Sequence, residues 1–114
     1  MTHPASQLYD VVHQRTRLGI LAVLAETRRA DFSFLRDTLE LTDGNLSRHL
    51  QVLADAGLVA IEKVFEGRRP RTWICATDEG RVAFDSEIAA LQALVNRVSA
   101  VKHPIGRAQW EEAK

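Results

Sequence analysis

The chain has 114 residues, with 15 basic and 15 acidic side chains and a formal net charge of zero. That length fits one domain with a modest core. The balance excludes a uniformly basic coat for nucleic acid, but not a binder with separated charge, because only the field at the contact face matters. The single cysteine, Cys75, excludes an intrachain disulfide and a cysteine-based metal cage, which fits a reducing cytosol.

The opening MTHPASQLYD has neither the basic nor the apolar segment of a signal peptide. The longest apolar run, Ile20 to Ala25, is too short for a bilayer. A cytoplasmic protein without membrane contact is expected. From about Ser6, Leu8 and Val12 sit four apart and suggest a short helix. The polar run His13-Gln14-Arg15-Thr16-Arg17 bends or breaks it, and Thr16 can cap a second helix. There Leu18, Leu21, Leu24 and Ala25 recur at helical spacing. Arg28, Arg29 and Ala30 read as a connector. Asp31 and Ser33 both offer a start for a third helix, whose apolar face carries Phe34, Leu35 and Leu39 and which ends near Glu40.

The next stretch is LTDGNLSRHLQVLADAGL, from Leu41 to Leu58. Thr42 caps this fourth helix, and Asp43 opposes the positive helix end. Leu46, Leu50 and Leu53 follow one face, and Gly57 supplies a left-handed stop. Leu58 to Phe65 is apolar and β-branched, hence a strand. Glu66-Gly67-Arg68-Arg69-Pro70 forms a hairpin tip, and Arg71 to Ala76 returns. Thr77 caps a last helix from Asp78 to about Val101, roughly 35 Å long at 1.5 Å per residue. Pro104 and Gly106 end it.

The expected fold is mainly α with a two-stranded β-wing: a winged helix-turn-helix with a long C-terminal dimerisation helix. One domain spans 1–114, with helices and wing over 6–76, the dimerisation helix over 77–101 and a flexible tail over 102–114. The second helix of such a pair presents its N-terminal residues to base edges in the major groove.

The segment LTDGNLSRHLQVLADAGLVAIEKVFEGRRPRTW, followed by TDEGR, resembles the winged-helix transcriptional regulators of the MarR/ArsR type. Asp10, His13, Arg17, Ile20 and Leu21 fit the opening helices of that family. Asp78 stands where relatives often carry Pro, and both suit a first helical turn. The resemblance covers residues 8 to about 90. It implies a dimeric bacterial or archaeal repressor or activator that binds double-stranded DNA.

With the three leucines inward, Asn45, Ser47, Arg48 and Gln51 turn outward, with Gly44 at the helix start and His49 at the flank. Arg48 can bond a guanine edge bidentately, and Asn45 or Gln51 can pair with adenine. Thr42 and Ser47 suit phosphate oxygens. On the wing, Lys63, Arg68, Arg69 and Arg71 fall within nine residues. An arginine at the tip, Arg68 or Arg69, can enter a minor groove, while Lys63 and Arg71 suit phosphates. The plainer alternative is surface charge paired with Glu62 and Glu66.

Ile88, Leu91, Leu94, Val95, Val98 and Val101 form a stripe on the last helix, expected to pair about a two-fold axis with Leu8 and Val12 of a second chain. His3, His13, His49 and His103 have no second ligand at metal spacing, so neither metal nor cofactor is expected. Cys75 reads as a small core residue. A small apolar effector between the N- and C-terminal helices is left open, with Trp73 and Phe84 as candidate lining residues. No nucleophile elbow, phosphate loop or HExxH points to an enzyme. The functional expectation is a homodimeric, sequence-specific regulator on a palindromic operator; the alternative is a winged-helix protein-interaction module that does not bind DNA.

Overall fold

Side-chain caps set the helix starts in the computed structural model, which describes residues 3–101. After a 3-10 turn over Pro4–Gln7 come α1 (Asp10–His13) and α2 (Arg15–Thr27). Gln14, not Thr16, caps α2: its backbone is extended and its side-chain oxygen accepts from the Arg17 N–H at 3.0 Å. One polar residue thus ends α1 and starts α2, and the break lies where the polar run placed it. Asp31 caps α3 (Phe32–Thr38) through the Phe34 N–H at 2.7 Å. Thr42 caps α4 (Asp43–Asp55) through the Asn45 N–H at 3.1 Å.

α3 and α4 end in the same way. In each, the last turn is closed by paired backbone bonds around a left-handed residue. After α4 that residue is Gly57, at φ 77°; its N–H reaches the Ala54 carbonyl and the Leu58 N–H that of Leu53. After α3 it is Glu40, at φ 55°, with the Leu41 N–H on the Arg36 carbonyl. Glycine takes this conformation freely; a side chain there is strained.

Arg29 and Ala30, expected in a connector, form a strand with Asp31, β1 (Arg29–Asp31). It pairs antiparallel with the return strand of the hairpin, so the sheet has three strands rather than two. β2 (Val59–Glu66) lies one residue later than expected, β3 (Arg69–Ala76) starts two residues earlier than expected, and β3 lies in the centre. Three residues are too few for a periodic signal, which is why β1 escaped notice. Only Gly67 and Arg68 form the turn, with Gly67 at φ 65°, the position that a two-residue hairpin gives to glycine.

The core joins Ile20, Leu21 and Leu24 of α2 to Leu35, to Leu46, Leu50 and Leu53 of α4, and to Val59, Ile74 and Ala76 of the sheet. Val12, expected at a dimer interface, is completely buried within this core. Its place four residues after Leu8 could not distinguish the two destinations.

The last helix, α5 (Asp78–Val101), is fixed at its first turn. The Thr77 N–H bonds the Leu58 carbonyl at 3.0 Å. The Thr77 hydroxyl donates to the Gly57 carbonyl at 2.6 Å and accepts from the Gly80 N–H at 2.9 Å. A Cβ on Gly80 would lie 1.9 Å from the Leu58 oxygen, so only glycine allows this approach. Further along, Glu87 is buried. It accepts from the Tyr9 N–H at 3.0 Å and lies 2.7 Å from His13 Nδ1. These bonds tie the N-terminal segment to α5 and satisfy a carboxyl group that burial would otherwise penalise. The expected tail, with His103, Pro104, Gly106 and Trp110, lies outside the described residues.

Candidate nucleic-acid interface

α4 divides by face. Leu46, Leu50 and Leu53 are buried, while Thr42, Asn45, Ser47, Arg48 and Gln51 are exposed together over its first turns. The Arg48 guanidinium lies 3.4 Å from the Asn45 amide oxygen, and the Gln51 amide donates to Asp55 at 2.7 Å. These are weak or exposed contacts that a stronger acceptor can replace. A Cβ on Gly44 would meet no atom within 4 Å, so the space over the helix start is open. Asp43 would repel phosphates, but Arg36 bonds it at 2.9 Å and Asp37 at 3.0 Å. Those two bonds raise the Arg36 pKa, Asp37 more than Asp43. The sequence reading missed Arg36, which faces the helix start from α3.

His49 does not belong to the outward face. It is 8% exposed, next to Leu50 on the inward side. The Arg17 guanidinium lies 3.2 Å from its Nδ1, and the Arg17 Nε–H donates to the Val11 carbonyl at 2.6 Å. A guanidinium can only donate, so Nδ1 accepts and the ring proton sits on Nε2. Burial lowers the His49 pKa, and Arg17 and Arg48 lower it further by repulsion. The ring is therefore neutral near pH 7, a packing group that links α1, α2 and α4.

The wing also divides. Lys63, Arg68 and Arg69 are exposed. Arg71 is engaged: it bonds Asp31 at 2.7 Å and 3.1 Å and Glu66 at 2.9 Å, and its guanidinium stacks 4.4 Å from the Trp73 ring centre. Arg29 stacks 3.9 Å from the same ring. The Asp31 pKa is lowered first by the Phe34 N–H and then by Arg71. Asp31 and Glu66 in turn raise that of Arg71. The expectation that Arg71 meets phosphates is thus replaced by a structural role, because β1 brings Asp31 beside it, and β1 was not foreseen. Trp73 is clasped between two cations rather than facing an apolar cavity, and Phe84 packs against the core.

On α5, Ile88, Val95 and Val98 are exposed, the last two at 56% and 54%. Leu91, Leu94 and Leu8 are half-buried. Val82 is exposed as well, outside the expected stripe. Among the described residues no three His, Cys, Asp or Glu side chains group as metal ligands, and no helix is long and apolar enough to cross a membrane.

The model of the winged helix DNA-binding domain family matches residues 16–95, which takes in α2, the α3–α4 pair, the wing and most of α5. A protein of Methanocaldococcus jannaschii, described as uncharacterized, is 38% identical over 82 residues, 72% of this chain and 89% of its own. The transcriptional regulator homologue of Pyrococcus horikoshii OT3 superimposes with a TM-score of 0.75 at 36% identity, over 78% of this chain and 88% of that one. A MarR-family regulator from Silicibacter pomeroyi shares the fold, with a TM-score of 0.62 at 22% identity over 97% of this chain and 74% of its own. Two helices with a polar tip, a basic hairpin beside them and these likenesses converge: the chain belongs to the winged helix DNA-binding domain family and is a winged helix-turn-helix transcriptional regulator.

Proposed function

We propose that the chain acts as a homodimer on a two-fold-symmetric operator, with Arg48 and Asn45 reading base edges. The observation that carries this reading is the division of α4: its leucines are buried, and its exposed polar residues gather at one open helix start. Gln51 lies on the same face, and Thr42 and Ser47 have hydroxyls suited to phosphate. Lys63, Arg68 and Arg69 reach the flanking backbone and minor groove. His49 and Arg71 support these residues from within the fold.

Pairing through α5 would cover Ile88, Leu91, Leu94, Val95 and Val98, with Leu8 at the margin, and would set two copies of α4 about one DNA turn apart, roughly 34 Å. Selection from a random duplex pool tests the reading directly. Enrichment of an inverted repeat supports it. No enrichment overturns it and favours a protein-interaction module; enrichment of an isolated half-site by a chain that sediments as a monomer overturns the homodimer and leaves a monomeric DNA binder.

A further inference from the structure

The two faces of the β2–β3 hairpin have opposite chemistry. Cross-strand pairing puts Glu62 opposite Trp73 and Glu66 opposite Arg69. This outer face holds both acids of the hairpin and the Arg71 bonds to Asp31 and Glu66. The inner face carries Val59, Ile61, Lys63 and Phe65 on β2, opposite Ala76, Ile74, Thr72 and Pro70 on β3. Its near half closes the core against α4. Its far half passes beyond the core, and there Phe65 is 76% exposed. The same face offers Lys63 two residues away, and the turn offers Arg68; no acid lies on it.

A lone exposed Phe is ordinary on a protein surface. Here the exposed ring lies between cations on an acid-free face, so any surface that covers it also meets positive charge. The surface that complements it is anionic and apolar at once. Duplex DNA presents that combination where deoxyribose rings line the minor groove between phosphates. Pro70, opposite Phe65, has no N–H to donate and makes the surface beside the ring apolar too.

We infer that Phe65 is a DNA-contacting residue of the wing, packing its ring against deoxyribose at the edge of the minor groove while Arg68 occupies the groove and Lys63 meets the phosphate. This rests on the DNA-binding reading of the wing. The contact carries no base preference and releases no counterion. Phe65 therefore adds affinity that is independent of sequence and of salt, unlike the arginine beside it.

The test uses the full chain on the duplex recovered by selection. Wild-type binding is measured first; no binding to any duplex would sink the functional reading itself. Given wild-type binding, Phe65→Ala should weaken it roughly tenfold, as loss of a largely buried ring implies, with an unchanged slope of log affinity against log salt. Hydroxyl-radical cleavage, which reads exposure of deoxyribose hydrogens, should reappear at the sugars flanking the half-site, while guanine N7 in the major groove stays protected from methylation. Phe65→Leu should restore most of the binding. Unchanged affinity and footprint for Phe65→Ala would overturn the inference. So would a loss of binding that comes with a fall in Tm or in dimer mass, which would assign the ring to protein packing.

Discussion

The recognition helix and the wing both contain residues that serve the fold and residues free to meet a ligand, but they separate them along different axes. α4 separates them by face, so one step along the chain changes the role: Arg48 points out and His49 points in. The hairpin separates them by distance from the core and by face. Ile74 and Ala76 are buried near its base, Arg71 is tied to Asp31 and Glu66 on the outer face, and Phe65 stands clear near the tip. A helix turns its side chains by about 100° per residue, whereas a strand alternates them between two faces. Equal spacing in sequence therefore does not mean equal standing at a site.

The base of the hairpin is where this contrast is most easily broken. Gly80→Ala should cost at least about 3 kcal/mol, because the new Cβ meets a backbone oxygen that cannot step aside. Thermal unfolding should show a large fall in Tm, and DNA binding should fail along with the fold. Next comes the split within α4. Arg48→Ala should weaken binding to the selected site by about 1–3 kcal/mol and relax preference at one base pair, with Tm unchanged. Competition between cognate and single-substituted duplexes checks this, and an unaltered preference would remove Arg48 from the reading face.

The two wing arginines give a finer contrast. Arg68→Ala should lower affinity for all duplexes and reduce the salt slope by about one. Arg71→Ala should leave that slope as it was and lower Tm, since its charge is already matched within the protein. The smallest effect concerns pH. His49 has a lowered pKa in the fold, so below about 6.5 the unfolded chain takes up a proton that the native ring resists. Stability should therefore fall as pH drops through that region and level off below the native pKa. His49→Asn should flatten this limb. Asp31, whose pKa is also lowered, should contribute a separate loss below the ordinary carboxylate range. Denaturant titrations from pH 7 to pH 2 resolve the two.

Much of this molecule was legible in the residues themselves. Thr42, Gly57 and Thr77 marked their boundaries because caps and left-handed stops are local chemistry, read within four residues. The face of α4 followed from the 3.6-residue period of its leucines. What escaped depended on partners far along the chain. β1 exists because β3 offers it an edge some forty residues later, and with β1 comes the ion pair that claims Arg71. Nothing in the residues around Glu87 marks it as an inward acid, yet it is buried against Tyr9 and His13, 78 and 74 residues earlier. Val12 lies at the same helical spacing whether its neighbour is α4 or a second chain. The exposure of Phe65 could not be foreseen either, since nothing local says where the core stops beneath a strand.

The junction of Thr77 and Gly80 with Gly57 and Leu58 has a mechanical consequence. The long helix is pinned, within one turn of its start, to the loop that ends the recognition helix. Tilting the far end of α5 therefore cannot leave α4 where it was: the junction is the fulcrum of a lever whose short arm is the reading head. In the proposed homodimer, any event that alters how the two long helices cross would be felt, through four residues, as a change in the distance between two reading heads.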